Sequence, residues 1–175
     1  MITKQSLQTE ESLRTEESLR TKQSLLTKQV IFTLDNEEFG LDIMVVNAIE
    51  KFTDLIPVPN APSYIHGIMN LRGDVIPVFS LRRKFGLPDR PVTEDSRLII
   101  TKSNGILMAF EVDGVKEIIE IPPENISETP AIVRGINTSY IRNVANLNGR
   151  MVILLDHDGI LSSNEQEKIE NILAR

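Results

Sequence analysis

The chain lacks cysteine and tryptophan, and only 5% of its 175 residues are aromatic. Without cysteine there is no disulfide and no thiolate metal site. With so few aromatics, Val, Ile and Leu must fill whatever core forms, and a 41% hydrophobic content is enough for one. No apolar run approaches the roughly 18 residues a membrane span needs. The start, "MITKQSLQTE", has no apolar core of a secretory leader. These absences lead to the expectation of a cytoplasmic protein without direct membrane insertion. Phosphate-cradling "GxxxxGK" and nucleophile-elbow "GxSxG" patterns are also missing.

Only two histidines occur, and neither has metal-ligand spacing. His66 reads as a solvated side chain. "DHDG" (Asp156–Gly159) starts like a calcium loop but has no later ligands, so it reads as a turn or helix cap. The net charge is −6, and the body beyond residue 28 carries −7 of it, which disfavours nucleic acid. The single basic cluster, "LRRKF" (Leu81–Phe85), reads as a short amphipathic turn after a strand. No catalytic residue, metal ligand or cofactor is expected.

Residues 1–28 form a low-complexity hexad repeat: "TKQSLQ", "TEESLR", "TEESLR", "TKQSLL", then "TK". A six-residue step turns a helix by about 240°, so Leu7, Leu13, Leu19 and Leu25 form no continuous stripe. The composition predicts a disordered tail, with a partner-induced helix as the alternative.

From Gln29 onward, short β-branched runs alternate with Gly, Pro, Asn and Asp, predicting a mainly all-β body over residues 29–175. "SRLIITKSNGILMAFEV" is the best hairpin signal, and Pro77 places "DVIPVFSL" at a sheet edge or bulge. A C-terminal helix is expected after Ser162 or Ser163, with Ile169, Ile172 and Leu173 on one face.

Two stretches occur twice. "YIHGIMNLRGDVIPV" (Tyr64–Val78) matches "YIRNVANLNGRMVIL" (Tyr140–Leu154) at a shift of 76, and "GLDIMVVNAI" (Gly40–Ile49) matches "AFEVDGVKEI" (Ala109–Ile118) at a shift of 69. Two echoes in the same order predict two similar half-domains, each with about five strands. Asn70, Asn146, Gly73 and Gly149 have the chemistry of a tight turn, and Leu71 and Leu147 that of barrel plugs. What differs, Arg72 against Asn148 and Gly67 against Asn143, is where a partner is expected. A doubled β protein without convergent chemistry works through its surfaces, as an adaptor or a small-molecule or oligonucleotide binder.

"VIFTLDNEEFGLDIMVVNAI", "APSYIHGIMNLRGDVIPVFSLRRKFG", "MAFEVDGVKEII" and "YIRNVANLNGRMVILLD" resemble the CheW family of chemotaxis coupling proteins over about residues 29–174. The resemblance implies two intertwined five-stranded SH3-like β-barrel subdomains with a C-terminal helix, and a non-catalytic adaptor. Its implied partners are the cytoplasmic hairpin tip of methyl-accepting chemoreceptors and the regulatory domain of the histidine kinase CheA, in arrays beneath the inner membrane. A chemosensory array serving another process, such as surface motility, is the alternative. Matching positions imply receptor binding by Ile43, Val46, Gly67, Arg72 and Leu98, and kinase binding by Ala48, Ile49, Leu55 and Ile132. Two positions depart from the family pattern: Ala48 replaces a frequent carboxylate, and Ser80 replaces an Asp before "LRRKF".

Overall fold

A computed structural model describes residues 27–103, 105–129 and 139–173. The β-branched and aromatic runs become strands β1 (Thr27–Leu34) and β2 (Glu37–Asp42), joined at Asp35. A 3-10 turn, Ile43–Val45, then leads to β3 (Val46–Lys51). It is set by the Asp42 carboxylate, which accepts from the Met44 amide at 2.9 Å. Next come β4 (Ile65–Leu71), β5 (Asp74–Ser80) and a helical turn, α1 (Leu81–Lys84). The expected hairpin forms as β6 (Arg97–Ser103) and β7 (Ile106–Val112), followed by β8 (Gly114–Ile121) and a short β9 (Ile126–Ser127). Strands β10 (Ile141–Leu147) and β11 (Arg150–Leu155) precede α2 (His157–Ile160) and α3 (Ser163–Leu173).

The strands form two sheets, ordered β8-β1-β2-β11-β10-β9 and β3-β6-β7-β5-β4. Under the sequence shifts of 69 and 76, β8, β1, β2, β11 and β10 correspond to β3, β6, β7, β5 and β4. The two orders are therefore the same. Even the irregularities repeat: β4 skips a residue between Ile65 and Gly67, and β10 skips its equivalent between Ile141 and Asn143. Yet neither sheet is one half of the sequence. The first hairpin of each repeat is given to the other's sheet, β1–β2 to β8–β11 and β6–β7 to β3–β5. Parallel pairs, β2 with β11 and β7 with β5, make the joins. The subdomains are thus intertwined, as the family resemblance implies.

Alternation along the strands explains the exchange. One face of each sheet lines a small core of its own, Met69, Ile76, Val78, Leu98, Ile100 and Ala109 in one and Ile31, Ile121, Ala145, Val152 and Leu154 in the other. The opposite faces meet in a larger central core, where Val30, Phe32, Phe39 and Leu41 pack with Phe79, Ile99, Met108 and Phe110. Each fully buried Phe or Ile there contributes about 1.5–3 kcal/mol, so separating the sheets would expose the largest apolar surface in the molecule.

Three expectations need correction. Pro77 lies in β5, an interior strand, not at an edge. Ile68, its partner on β4, exchanges both backbone hydrogen bonds with Ile56 on the far side. The Ile68–Pro77 pair is therefore a non-hydrogen-bonded one, and the β5–β7 ladder begins only at Val78, so the missing N–H is not required. The first sheet has a sixth strand, β9, where the other has only the Ile56–Ile68 bridge. In α3, Ser162 caps the first turn through the Glu165 amide (3.2 Å) and Ile169 is buried, but Leu173 is 36% exposed. The helix thus reaches the core through Ile169.

Candidate functional site

Strand directions gather three features at one end of the β3-β6-β7-β5-β4 sheet: the β4–β5 turn, the β6–β7 turn and the crossover from Asp42 into β3. The equivalent end of the other sheet holds the β10–β11 turn, the β1–β2 turn and the crossover Val112–Gly114. The same architecture is finished with opposite chemistry.

The first end is open and apolar. Met44, in the middle of its crossover, is 86% exposed, and Ile43, Val45 and Val46 are half-buried against the central core. Val75, two residues past the β4–β5 turn, is 53% exposed. Half-buried Leu71 and Leu107 plug this barrel end beside Ala48. Arg72 and Gly73 form the turn with φ of 53° and 90°. Positive φ at both central residues defines the tight hairpin turn that favours Asn-Gly, and the second copy has that pair, Asn148 and Gly149, at 53° and 91°. The shared asparagines close both turns, Asn70 to the Gly73 amide and Asn146 to the Gly149 amide, each at 3.0 Å. Arg72 thus holds a left-handed conformation that costs a side chain of its shape roughly 1–2 kcal/mol. Among the described residues, Arg72 and Arg142 are the only arginines without a hydrogen-bond or ion-pair partner.

The second end is sealed by charge. Asp113, equivalent to Met44, accepts from Arg82 Nη1 (2.6 Å) and from the Asp35 amide (2.7 Å). Arg82 is nearly buried and also pairs with Asp35 (2.7 Å) and donates to the Pro88 carbonyl (2.7 Å). Where the open end has Leu107, Asp74 and Ala48, this end has Glu38, Arg150 and Glu117. Arg150 donates to Glu38 at 2.8 and 3.0 Å and to Glu117 at 2.9 Å, and Lys116 reaches Glu38 at 2.6 Å. Hydrogen bonds from Arg150 and Lys116 hold the Glu38 carboxyl down to about 2.

Of the positions expected to meet a receptor, Ile43, Val46 and Arg72 come together at the open end. Gly67 and Leu98 do not. Gly67 is buried under the chain itself: a Cβ there would sit 2.8 Å from the Ile56 carbonyl. That contact is a sufficient reason for glycine, and a reason internal to the fold. Leu98 is 0% exposed in the small core of its barrel, out of reach of any surface contact. Of the positions expected to meet the kinase, Ala48 and Ile49 are half-buried on the edge strand β3, Ala48 on that same small core and Ile49 on the central one. Half-buried Leu55 packs on the small core from the segment that bridges β4, at the other edge of the sheet. Ile132 lies outside the described residues. Met44 and Val75 were not anticipated; the signal was present in the repeat, where Met44 stands opposite Asp113.

The other polar groups are spent on the fold. His66 is not merely solvated: its Nδ1 pairs with Glu111. Arg83 is held by Asp89 and the Ser63 carbonyl, and Lys84 by Glu165, so with Arg82 the "LRRKF" cluster is internally paired. Ser80 caps α1 through the Arg83 amide (3.3 Å), as its equivalent Asp156 caps α2, so the departure at Ser80 leaves the turn intact. His157 bonds Thr101 Oγ1 at 2.7 Å, and burial pushes its pKa down. A cleft of about 450 Å³ has His66, Arg82, Arg83, Asp89 and Glu111 in its lining, all of them paired. No cluster of three or more metal-ligating side chains occurs among the described residues.

Comparison with known proteins agrees with this architecture. A family model described as a CheW-like domain matches residues 28–165. The chain is 33% identical over 142 residues to the chemotaxis protein CheW of Klebsiella aerogenes, covering 81% of this chain and 86% of that one. It is 31% identical over 145 residues to the CheW of Treponema pallidum, covering 81% and 85%. A crystal structure of the scaffolding protein TtCheW from Thermoanaerobacter tengcongensis superposes with a TM-score of 0.72 at 35% identity, covering 80% of this chain and 90% of that one.

Proposed function

The chain belongs to the CheW-like domain family, and from that premise we propose that it is a non-catalytic adaptor of chemotaxis signalling, coupling chemoreceptors to the histidine kinase CheA. The observation that carries the reading is the open end: an exposed apolar crossover at the same end of the sheet as an arginine that is strained and has no partner among the described residues. A helical hairpin tip brings apolar anchors for such a surface and carboxylates or carbonyls for a guanidinium. Ile43, Met44 and Val46 supply the apolar contact and Arg72 the charged one. Leu98 and Gly67 act beneath the surface, shaping the sheet that presents it.

The kinase contact is assigned to Ala48 and Ile49 on the β3 edge and to Leu55 on the segment that bridges β4. An edge strand with half-buried apolar side chains offers both backbone groups and area to a similar barrel. The molecule then works in the cytoplasm, at the receptor arrays; no described helix is long and apolar enough to cross a membrane. A small-molecule or oligonucleotide site has less support, because the charges of the cleft between His66 and Glu111 are spent on pairs within the chain.

Calorimetry tests the reading. The full chain should release or absorb heat, at micromolar concentrations, with a receptor cytoplasmic hairpin fragment and with a CheA regulatory domain from the same organism. Silence with both partners would sink it.

A further inference from the structure

The hexad repeat has no role in the reading above, and the family domain begins only at residue 28. Residues 1–26 lie outside the described residues, but the place where they join the fold is defined. Strand β1 opens at Thr27, and its ladder with β2 ends at the pair Gln29–Asp42. The residue after Asp42 is Ile43, so the repeat enters the fold alongside the crossover that exposes Met44. Leu25 is two residues from Thr27, about 7 Å of chain at most.

The chemistry of the repeat fits what it meets there. The open end offers exposed Met44, half-buried Ile43 and Val46, and the unpaired cation of Arg72. Each central hexad, "TEESLR", carries two glutamates and a leucine: Glu10, Glu11 and Leu13 in one, Glu16, Glu17 and Leu19 in the other. From β3 to β5 the sheet is three strand spacings wide, about 14 Å, and six extended residues span about 20 Å. A single hexad therefore reaches from the crossover to the β4–β5 turn. The sealed end exposes Met151 but carries Asp113 in place of Met44, and its Arg82 and Arg150 are already paired, so among the described residues it offers such a segment no free arginine.

We propose that the amino-terminal hexad repeat is an intramolecular occupant of the open end, with leucines of its "TEESLR" units on Met44 and their glutamates on Arg72. It is thereby a built-in competitor for the receptor contact; the competition, though not the occupancy, rests on the function proposed above. The receptor finds its site only when the repeat is off, so its apparent affinity falls by the uncovered fraction.

The absence of cysteine allows a single nitroxide label at Ser12→Cys in the full chain, read at the methionine methyls. Met44 reports the open end, exposed Met151, the equivalent of Val75, reports the sealed end, and buried Met69 and Met108 are references. The Met44 signal should be bleached while Met151 survives, at every protein concentration. In the same labelled chain, Leu13→Ser with Leu19→Ser should restore most of the Met44 signal. Bleaching that these substitutions leave unchanged would mean only that the tail starts nearby, and would overturn the proposal. Bleaching that vanishes on dilution would assign the contact to a second copy and overturn it as well. In a receptor-fragment titration the unlabelled double-serine chain should bind about fivefold tighter if the repeat covers the site four-fifths of the time. No binding by either chain would count against the adaptor function, while the methyl result would still decide occupancy.

Discussion

The two crossovers between the sheets are the same joint built twice, and they are finished in opposite ways. Asp42–Val46 turns on its own cap and leaves Met44 in solvent. Val112–Gly114 is clamped by Arg82, Asp35 and Asp113. A duplicated fold needs both joints but not two identical surfaces. One joint carries the charge network that fixes the intertwined sheets, which leaves the other free to present apolar side chains. The same division holds at the hairpin tips: Asn148 is the residue the turn prefers, and Arg72 is tolerated there at a cost.

The difference is open to direct attack. The largest effect is expected from Arg82→Met, which leaves Asp113 without its nearly buried partner. Breaking such a pair costs about 3 kcal/mol or more, so thermal unfolding should drop by many degrees; a melting temperature within experimental error of the parent would show that the clamp does not hold the joint. Gly67→Ala comes next. Its Cβ would push Ile56 off β4, and a loss of about 2 kcal/mol is expected in denaturant unfolding, a size typical of overpacking.

Met44→Asp places the sealed end's residue at the open end. Its stability should stay within about 0.5 kcal/mol of the parent, as for surface changes generally. Receptor-fragment binding should weaken at least tenfold in calorimetry, and unchanged binding would remove Met44 from the site. The turns give a reciprocal pair. Arg72→Asn should raise stability by about 0.5–1 kcal/mol by relieving the left-handed arginine while weakening receptor binding more than kinase binding. Asn148→Arg should lower stability by a similar amount and leave receptor binding alone.

The smallest effects are those of pH. Burial lowers the His157 pKa, so the folded state favours its neutral form. Stability should begin to fall as pH drops below the ordinary histidine value of about 6.5. Glu38, held at about 2, should add a second loss as pH falls from 4.5 toward 2. His157→Gln should flatten the first step in a series of melts and leave the second.

Much of this was legible in the residues. The doubled stretches gave the turns: Asn70 with Gly73 and Asn146 with Gly149 do what their side chains suggested, and Gly105, at a φ of 77°, leads into β7 of the expected hairpin. The contrast of Arg72 with Asn148 was visible in the repeat, although only the shared φ of 53° explains why asparagine is the natural occupant. Other positions misled because exposure is a tertiary property. Leu98 and Gly67 sit in stretches that match a binding family, yet one is in a core and the other is covered by Ile56. Pro77 looked like an edge residue because a strand's place in a sheet depends on partners far along the chain.

The sequence by itself determined the periodicity of the strands, the chemistry of the turns and the existence of two equivalent repeats, all set by interactions among near neighbours. Only the tertiary structure decided that each repeat lends its first hairpin to the other, because burying both inner sheet faces in one central core requires long-range pairing. That exchange, in turn, creates two crossovers and assigns Arg82 to one of them, and so decides which end of the molecule is closed by charge and which is left open.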